Sequence, residues 1–153
     1  MSDLSRESAL LEIVYSLEKA FWDLLGDGAK ATVSIIGEEL YERLKSSTNI
    51  DLENVDEEEA LKEISRILTE DMEIAKSVKI NREGSKFIML VDNCMMLEVQ
   101  RHLMKNGIEP FLCPFLNLIA YITRRRGANS TSLGEIHVDI EKSMCLLTFD
   151  EIK

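Results

Sequence analysis

The chain has few of the residues that build flexible or repetitive segments. Its 153 residues include 2 prolines and 7 glycines, a composition that excludes a collagen-like repeat and argues against a long disordered linker. Its 3 cysteines are an odd number at distant positions, unlike the disulfide framework of a small secreted domain. We therefore expect a protein of the reducing cytoplasm.

Long apolar runs are also absent. The most apolar segment, residues 111–123, is interrupted by Pro114 and Asn117 and is followed by three arginines at 124–126, so it is too short to cross a bilayer. The first eight residues lack the basic start and apolar run of a secretory signal. The sequence thus predicts a buried core helix in this segment and no membrane span.

Basic side chains are in the minority. Lys and Arg number 18 against 28 Asp and Glu, which gives a formal net charge of −10. Affinity for nucleic acids comes largely from Lys and Arg, so we expect no nucleic-acid partner. The acidic excess lies in residues 1–75, with 19 acidic and 7 basic side chains, and is typical of solvated helix faces. Hydrophobic residues make up 45% of the chain, which predicts one folded domain over residues 1–153.

Apolar spacing predicts three helices in the first half. Between Ser8 and Leu25 apolar residues recur at steps of three and four, which predicts a helix with one buried face. That face comprises Leu10, Ile13, Val14, Leu17, Phe21, Leu24 and Leu25. A second helix is predicted at 29–45, where Gly37 would suit the close approach of another backbone. Asp56, followed by three glutamates, predicts the N-cap of a third helix.

The second half mixes strands and helices. Alternation after Ala75 predicts a β-hairpin with strands near 74–80 and 87–91. Helical spacing returns from Met96 to Met104, and another helix begins at Pro114 and ends before Gly127. The last two strands are predicted at 135–140 and 144–149. The expected fold is α+β, with an antiparallel four-stranded sheet packed on a helical layer in the order ααα-ββ-αα-ββ.

The three cysteines are candidates for a shared site. Cys94, Cys113 and Cys145 each lie at the edge of a predicted element, so their side chains could converge. Thiolates bind zinc or iron, and His137 could complete a four-ligand site, although the chain has no close CxxC pair. The alternative interpretation is three buried core cysteines that behave as small hydrophobic residues.

Cys113 is the candidate for a reactive thiol. A helix N-terminus lowers the pKa of a thiol, whereas the apolar neighbours Phe111, Leu112 and Phe115 would raise it by desolvation. The sequence has no nucleophile elbow, no HExxH motif and no nucleotide fingerprint. A hydrolase with Cys113 as nucleophile is therefore the last of the functional hypotheses, and a non-catalytic protein is favoured over an enzyme.

The second half also shows the pattern of a known domain. The pattern begins with a strand that ends at Asp92, Asn93 and Cys94 and continues with a helix to Gly107. A second helix opens with Cys113, Pro114 and Phe115 and ends at Gly127. A hairpin then starts at Gly134 and Glu135, and its return strand holds Cys145 and Phe149. This order resembles the 4-vinyl reductase domain, a hydrocarbon-binding module related in fold to the small subunits of the TRAPP vesicle-tethering complex. A weaker likeness is to the aminothiazoline carboxylate hydrolase-like proteins. The first resemblance implies a homodimer with an apolar cavity between helices and sheet.

These observations lead to one main functional hypothesis and two alternatives. The main hypothesis is a non-catalytic binding or sensor module that buries a small apolar molecule beside Phe111, Cys113, Phe115 and Tyr121. The first alternative is a metal or redox sensor that uses the three cysteines and His137, with zinc or iron as the metal. The second alternative is a homodimeric protein-interaction module joined through an apolar helix face.

Overall fold

The computed structural model describes residues 5–127, 135–139 and 141–150, and for residues 135–138 and 150 it describes the backbone alone. The helical elements are α1 (Arg6–Leu25), a 3₁₀-helical segment (Gly26–Thr32), α2 (Val33–Ser47), α3 (Glu57–Arg66), a π-helical turn (Ile67–Asp71), α4 (Leu97–Lys105) and α5 (Pro114–Arg125). The strands are β1 (Ser77–Glu83), β2 (Lys86–Asp92), β3 (Glu135–Asp139) and β4 (Met144–Asp150). Within these described ranges no helix combines the length and the apolar character needed to span a membrane.

The sheet is antiparallel and has the spatial order β1-β2-β4-β3. Its long strands β1, β2 and β4 are seven residues each, and β3 is a five-residue strand along the outer side of β4. Alternate residues of β2 and β4 are buried and face each other in the register, so that Met89 pairs with Leu147 and Val91 with Cys145. This alternation places one face of the sheet on the core.

The predicted architecture needs correction, although the α+β class holds. The body of the sheet consists of three long antiparallel strands, not four equivalent ones, and β3 is an edge strand whose side chains at 135–138 lie outside the described part of the chain. The α-helices and strands follow the predicted order ααα-ββ-αα-ββ, and a 3₁₀-helical segment and a π-helical turn are added to it. Short helical segments of these types continue the neighbouring helices without a period of their own, so a periodicity argument does not separate them.

Helix α5 forms the centre of the core. Its residues from Phe115 to Ile122 are all buried, which fits the prediction of a core helix at this segment. Asn117 lies among them and donates hydrogen bonds from Nδ2 to the carbonyl oxygens of Val33 (3.2 Å) and Phe111 (2.9 Å). The buried amide is thereby satisfied and ties the start of α2 to the segment that precedes α5.

Two predicted helix starts are confirmed. The Asp56 carboxylate accepts a hydrogen bond of 2.8 Å from the backbone amide of Glu59 at the start of α3. Three glutamates occupy the first turn of this helix, where the helix dipole favours anions. Pro114 is the first residue of α5, a position that needs no backbone N–H.

The predicted buried face of α1 is wrong. Most of that face is exposed, and the apolar side chains of α1 that pack against the core are the half-buried Leu11, Val14, Tyr15 and Trp22. The exposed fractions are 57% for Leu10 and Ile13, 55% for Leu17, 46% for Phe21, 80% for Leu24 and 48% for Leu25. An apolar period shows that a helix face is suited to burial, but it does not show which surface covers it.

Helices α2 and α5 approach each other closely at Gly37. A Cβ atom built on Gly37 would lie 1.9 Å from the carbonyl oxygen of Asn117 and 2.9 Å from Cβ of Tyr121. Gly37 is therefore the residue that lets these backbones come together, as its position within the predicted helix suggested.

We expect Gly37→Ala to destabilise the protein by at least about 2 kcal/mol, because overpacking against backbone outweighs a gain of about 1 kcal/mol in helix propensity. Urea denaturation measures the free energy of unfolding. Gly28→Ala is the matched control, since its Cβ would make an ordinary 3.7 Å contact with Leu25, and we expect a change within about 0.5 kcal/mol. If Gly37→Ala were as stable as the wild type, the close packing of α2 on α5 would be wrong.

Candidate functional site

The three cysteines come together in the core. Cys94 follows β2, Cys113 is the N-cap of α5, and Cys145 lies in β4. All three are buried and none forms a disulfide. They are close enough for the charge of one thiolate to affect the pKa of another, so the three positions predicted to converge do share one region, which we term the thiol cluster.

Gln100 of α4 is the polar residue of the thiol cluster, and its place there was not predicted from the sequence. Its side chain is fully buried, and its Oε1 lies 3.7 Å from Sγ of Cys145, which donates the hydrogen bond. Its Nε2 is buried without a hydrogen bond of normal geometry, yet the side chain lies near enough to Cys113 to lower the pKa of that thiol. Gln100 occupies the inward face of α4 together with Met96 and Leu103, and a glutamine at an apolar position of the period was the signal that could have revealed it.

Burial decides the chemistry of these thiols. Desolvation raises the pKa of Cys113 to about 12, although backbone amides of Leu116 and Phe115 and the side chain of Gln100 act in the opposite direction. Burial likewise raises the pKa of Cys94 and of Cys145. The thiolate is the reactive form, and the helix N-terminus does not compensate for desolvation at Cys113. The structure therefore gives no support to a nucleophilic Cys113.

A metal site is not formed by the described side chains. Within the part of the chain whose side chains are described, no group of three or more His, Cys, Asp or Glu residues is placed to hold a metal ion. In β3, His137 pairs with Leu146 whereas Val138 pairs with Cys145, and the His137 side chain lies outside the described part. The four-ligand zinc or iron site of the three cysteines and His137 thus stays a prediction.

The residues predicted to bind an apolar ligand pack tightly against their neighbours. Phe111, Cys113, Phe115 and Tyr121 are all at least 96% buried. A cavity of about 160 Å³ lies beside Tyr121 at the surface, and its other lining residues are Leu52, Glu53, Ile122, Arg125 and Arg126. This volume is below the range of about 300–1,000 Å³ that is usual for small-molecule sites, and Phe111, Cys113 and Phe115 do not line it. Binding of an apolar ligand by the four residues stays a prediction.

Glu18 is a buried carboxyl group in α1 that the sequence analysis also missed. Its Oε1 accepts hydrogen bonds from the backbone amides of Phe111 (3.2 Å) and Leu112 (2.8 Å), whereas its Oε2 is buried without a partner. Burial raises the pKa of Glu18 to about 7, against the lowering effect of the two amides. Glu18 thus attaches α1 to the segment before α5. Glu18 lies four residues from both Val14 and Trp22 on the inward face of α1, and this spacing was the signal that could have predicted its burial.

The outward face of α1 carries a continuous apolar surface. We define the α1 stripe as Leu10, Ile13, Leu17, Phe21 and Leu24, which are between 46% and 80% exposed. Steps of three and four residues place them along one side of the helix. Exposed apolar patches of a few hundred Å² are typical of interaction sites on soluble proteins. The α1 stripe is therefore a candidate interaction surface.

We expect the thiol cluster to react slowly with a disulfide reagent such as DTNB, at least about 100-fold more slowly in the native protein than in urea, because the thiols are buried and their pKa values are raised. Absorbance of the released thiol measures the rate and the number of reacted cysteines. Ser46→Cys supplies a matched exposed thiol on α2, away from the α1 helix. If one native cysteine reacted as fast as this control, a redox role for that cysteine would gain support.

Glu18 makes stability depend on pH. The pKa rises from 4.5 to about 7 on folding, so the folded state binds the proton more tightly than the unfolded chain. The contribution of Glu18 to the free energy of unfolding therefore increases as pH falls from above 7 towards 4.5, by up to about 3 kcal/mol.

We expect Glu18→Gln to remove this dependence, so that the variant is more stable than the wild type above pH 7 and loses that advantage near pH 4.5. Urea denaturation across this pH range measures the difference. Glu12→Gln changes an exposed glutamate of the same helix and should leave the wild-type profile unchanged. Parallel profiles for wild type and Glu18→Gln would contradict the burial of an ionisable Glu18.

Comparison with known proteins identifies the family to which the chain belongs. An uncharacterized protein of Methanocaldococcus jannaschii is 28% identical to the chain over 135 residues, which cover 88% of this chain and 82% of the relative. Residues 9–136 match the family described as "Putative rubredoxin C-terminal domain". This match covers most of the chain, from α1 to β3. The chain therefore belongs to the rubredoxin C-terminal domain family.

Proposed function

We propose that the protein is a non-catalytic protein-interaction module that acts as a homodimer through the α1 stripe. The observation that carries the proposal is the exposure of five large apolar side chains along one side of α1. Each square ångström of apolar surface removed from water contributes roughly 25 cal/mol. An interface that covers the stripe would therefore stabilise the domain as well as join it to a partner.

A second copy of the chain is the partner that fits this surface best. The stripe extends over residues 10–24, about 21 Å at the helical rise of 1.5 Å per residue. A two-fold interface uses the same patch on both subunits, so one contact covers both stripes. Stable interfaces bury about 800 Å² per partner, and Leu25, which directly follows the stripe and is 48% exposed, provides further apolar surface.

The interior supports a non-catalytic role. The thiols of the cluster have raised pKa values, and the polar side chain that reaches Cys113 and Cys145 is the amide of Gln100, which is not a general base. The imidazole of His102 could act as a base, but it is exposed and packs edge-on against the ring of Tyr15. A hydrolytic mechanism through Cys113 therefore lacks a partner among these groups.

Leu17→Glu is the direct test of the homodimer. Placing a charge at the centre of the stripe should convert the dimer to a monomer, because a carboxylate buried between apolar side chains has no compensating partner. Light scattering coupled to size-exclusion chromatography measures the mass over a concentration series, with circular dichroism to confirm folding. Since each copy carries a net charge of −10, added salt should strengthen the wild-type dimer.

Met72→Glu is the matched control, because Met72 is 39% exposed and lies just after the π-helical turn, away from α1 in the chain. This variant should keep the mass of the wild type. A wild-type protein that is still monomeric at about 100 μM would refute the proposal, because its dimerisation would then be weaker than that of a micromolar dimer by more than about 2.7 kcal/mol.

A further inference from the structure

We infer that the two copies pair with their α1 helices antiparallel, about a two-fold axis that passes beside Leu17. This inference rests on the proposed homodimer and adds the orientation of the helices and the residues that meet. It follows from the spacing of the α1 stripe and from the charges at the two ends of that helix.

The spacing of the stripe is symmetric about its central residue. Leu10 and Leu24 each lie seven positions from Leu17, and Ile13 and Phe21 each lie four positions from it. An antiparallel pair therefore places Leu17 against the partner's Leu17. It also places Ile13 against the partner's Phe21, and Leu10 against the partner's Leu24. Each apolar residue of the stripe meets an apolar residue, which an antiparallel arrangement achieves only when the pattern reads the same in both directions.

Charges at the helix ends favour this orientation over a parallel one. Arg6 is exposed at the N-terminal end of α1 in line with the stripe, and Asp27 follows the C-terminal end with its side chain 86% exposed. Asp27 makes a long contact of 3.6 Å with Lys30. Antiparallel helices bring Arg6 towards the partner's Asp27. They also bring the positive end of each helix dipole beside the negative end of the other.

A parallel pair would place like charges together at both ends. Arg6 would meet the partner's Arg6, Asp27 would meet the partner's Asp27, and the helix dipoles would point the same way. Like charges that face each other across an interface destabilise it. The apolar stripe alone permits both orientations, and the charged ends select the antiparallel one.

Short side chains border the stripe on the side away from the core. Ser16 and Ala20 are both exposed and lie between the levels of Ile13 and Phe21 on the helix. Small residues at a helix contact allow the axes to approach at the shorter end of the usual separation of about 8–10 Å. This is the distance at which two residues on a two-fold axis come within reach of a disulfide, whose Cα atoms are about 4.4–6.8 Å apart.

Cysteine cross-linking tests the orientation. Leu17→Cys should form a disulfide with the partner's Cys at position 17 when oxidised glutathione is added, with two thiols giving up two protons and two electrons and one glutathione disulfide becoming two glutathione molecules. Native Cys94, Cys113 and Cys145 are at most 6% exposed, so the wild type should remain uncross-linked. Non-reducing gel electrophoresis measures the linked fraction.

Position-specific pairs separate the antiparallel arrangement from the parallel one. Leu10→Cys alone should stay unlinked, because in the antiparallel pair its two copies are about 21 Å apart along the helices. Leu10→Cys mixed with Leu24→Cys should give the heterodimeric disulfide. A parallel pair reverses this result, since Leu10→Cys and Leu24→Cys would each link to themselves but not to one another.

The possible outcomes distinguish this inference from the proposed function. Linking at position 17 and between positions 10 and 24 supports the antiparallel pair. Self-linking at position 10, or a dimer by light scattering with no link at position 17, overturns the orientation and leaves the homodimer intact. A monomeric wild type overturns both.

Discussion

The close contact between α2 and α5 is the constraint on which the rest of the domain depends. Gly37 has no side chain to separate these helices from each other, and the carbonyl of Asn117 occupies the space that a Cβ atom would fill. The amide of Asn117 then fixes Val33 and Phe111. Because Phe111 and Leu112 are the donors to Glu18, the position of α1, and with it the direction of the α1 stripe, follows from this contact.

The same packing explains why three cysteines and a glutamine form no reactive centre. Each thiol is enclosed by elements that meet at the core, and desolvation raises the pKa of Cys113 to about 12 despite the nearby helix N-terminus. A buried thiol of this kind behaves as a small apolar side chain. Burial of the Gln100 Nε2 atom without a hydrogen bond of normal geometry costs free energy in this region. The atom lies where α4 reaches the sheet.

Helix α1 packs on the domain with one face and exposes an apolar surface on another. Its inward face offers half-buried side chains and the Glu18 carboxyl, whose Oε2 is buried without a partner. Its outward face exposes the α1 stripe. A dimer contact would stabilise this helix because it would bury the α1 stripe, which the described part of the domain leaves exposed. Protonation of Glu18 would stabilise it from inside, since the neutral acid suits a buried position better than the carboxylate.

The sequence by itself determined the features that depend on neighbouring residues: the α+β class, the Asp56 cap, the start of α5 at Pro114, the hairpin of β1 and β2, and the apolar period of α1. Local hydrogen bonds and side-chain alternation specify these within a few residues. Tertiary structure alone decided that the α1 stripe faces outward, that Glu18 and Gln100 are buried, and that three distant cysteines share one region of the core. Those outcomes depend on which surfaces pack together across the chain, and one sequence period is compatible with burial by its own domain or by another copy.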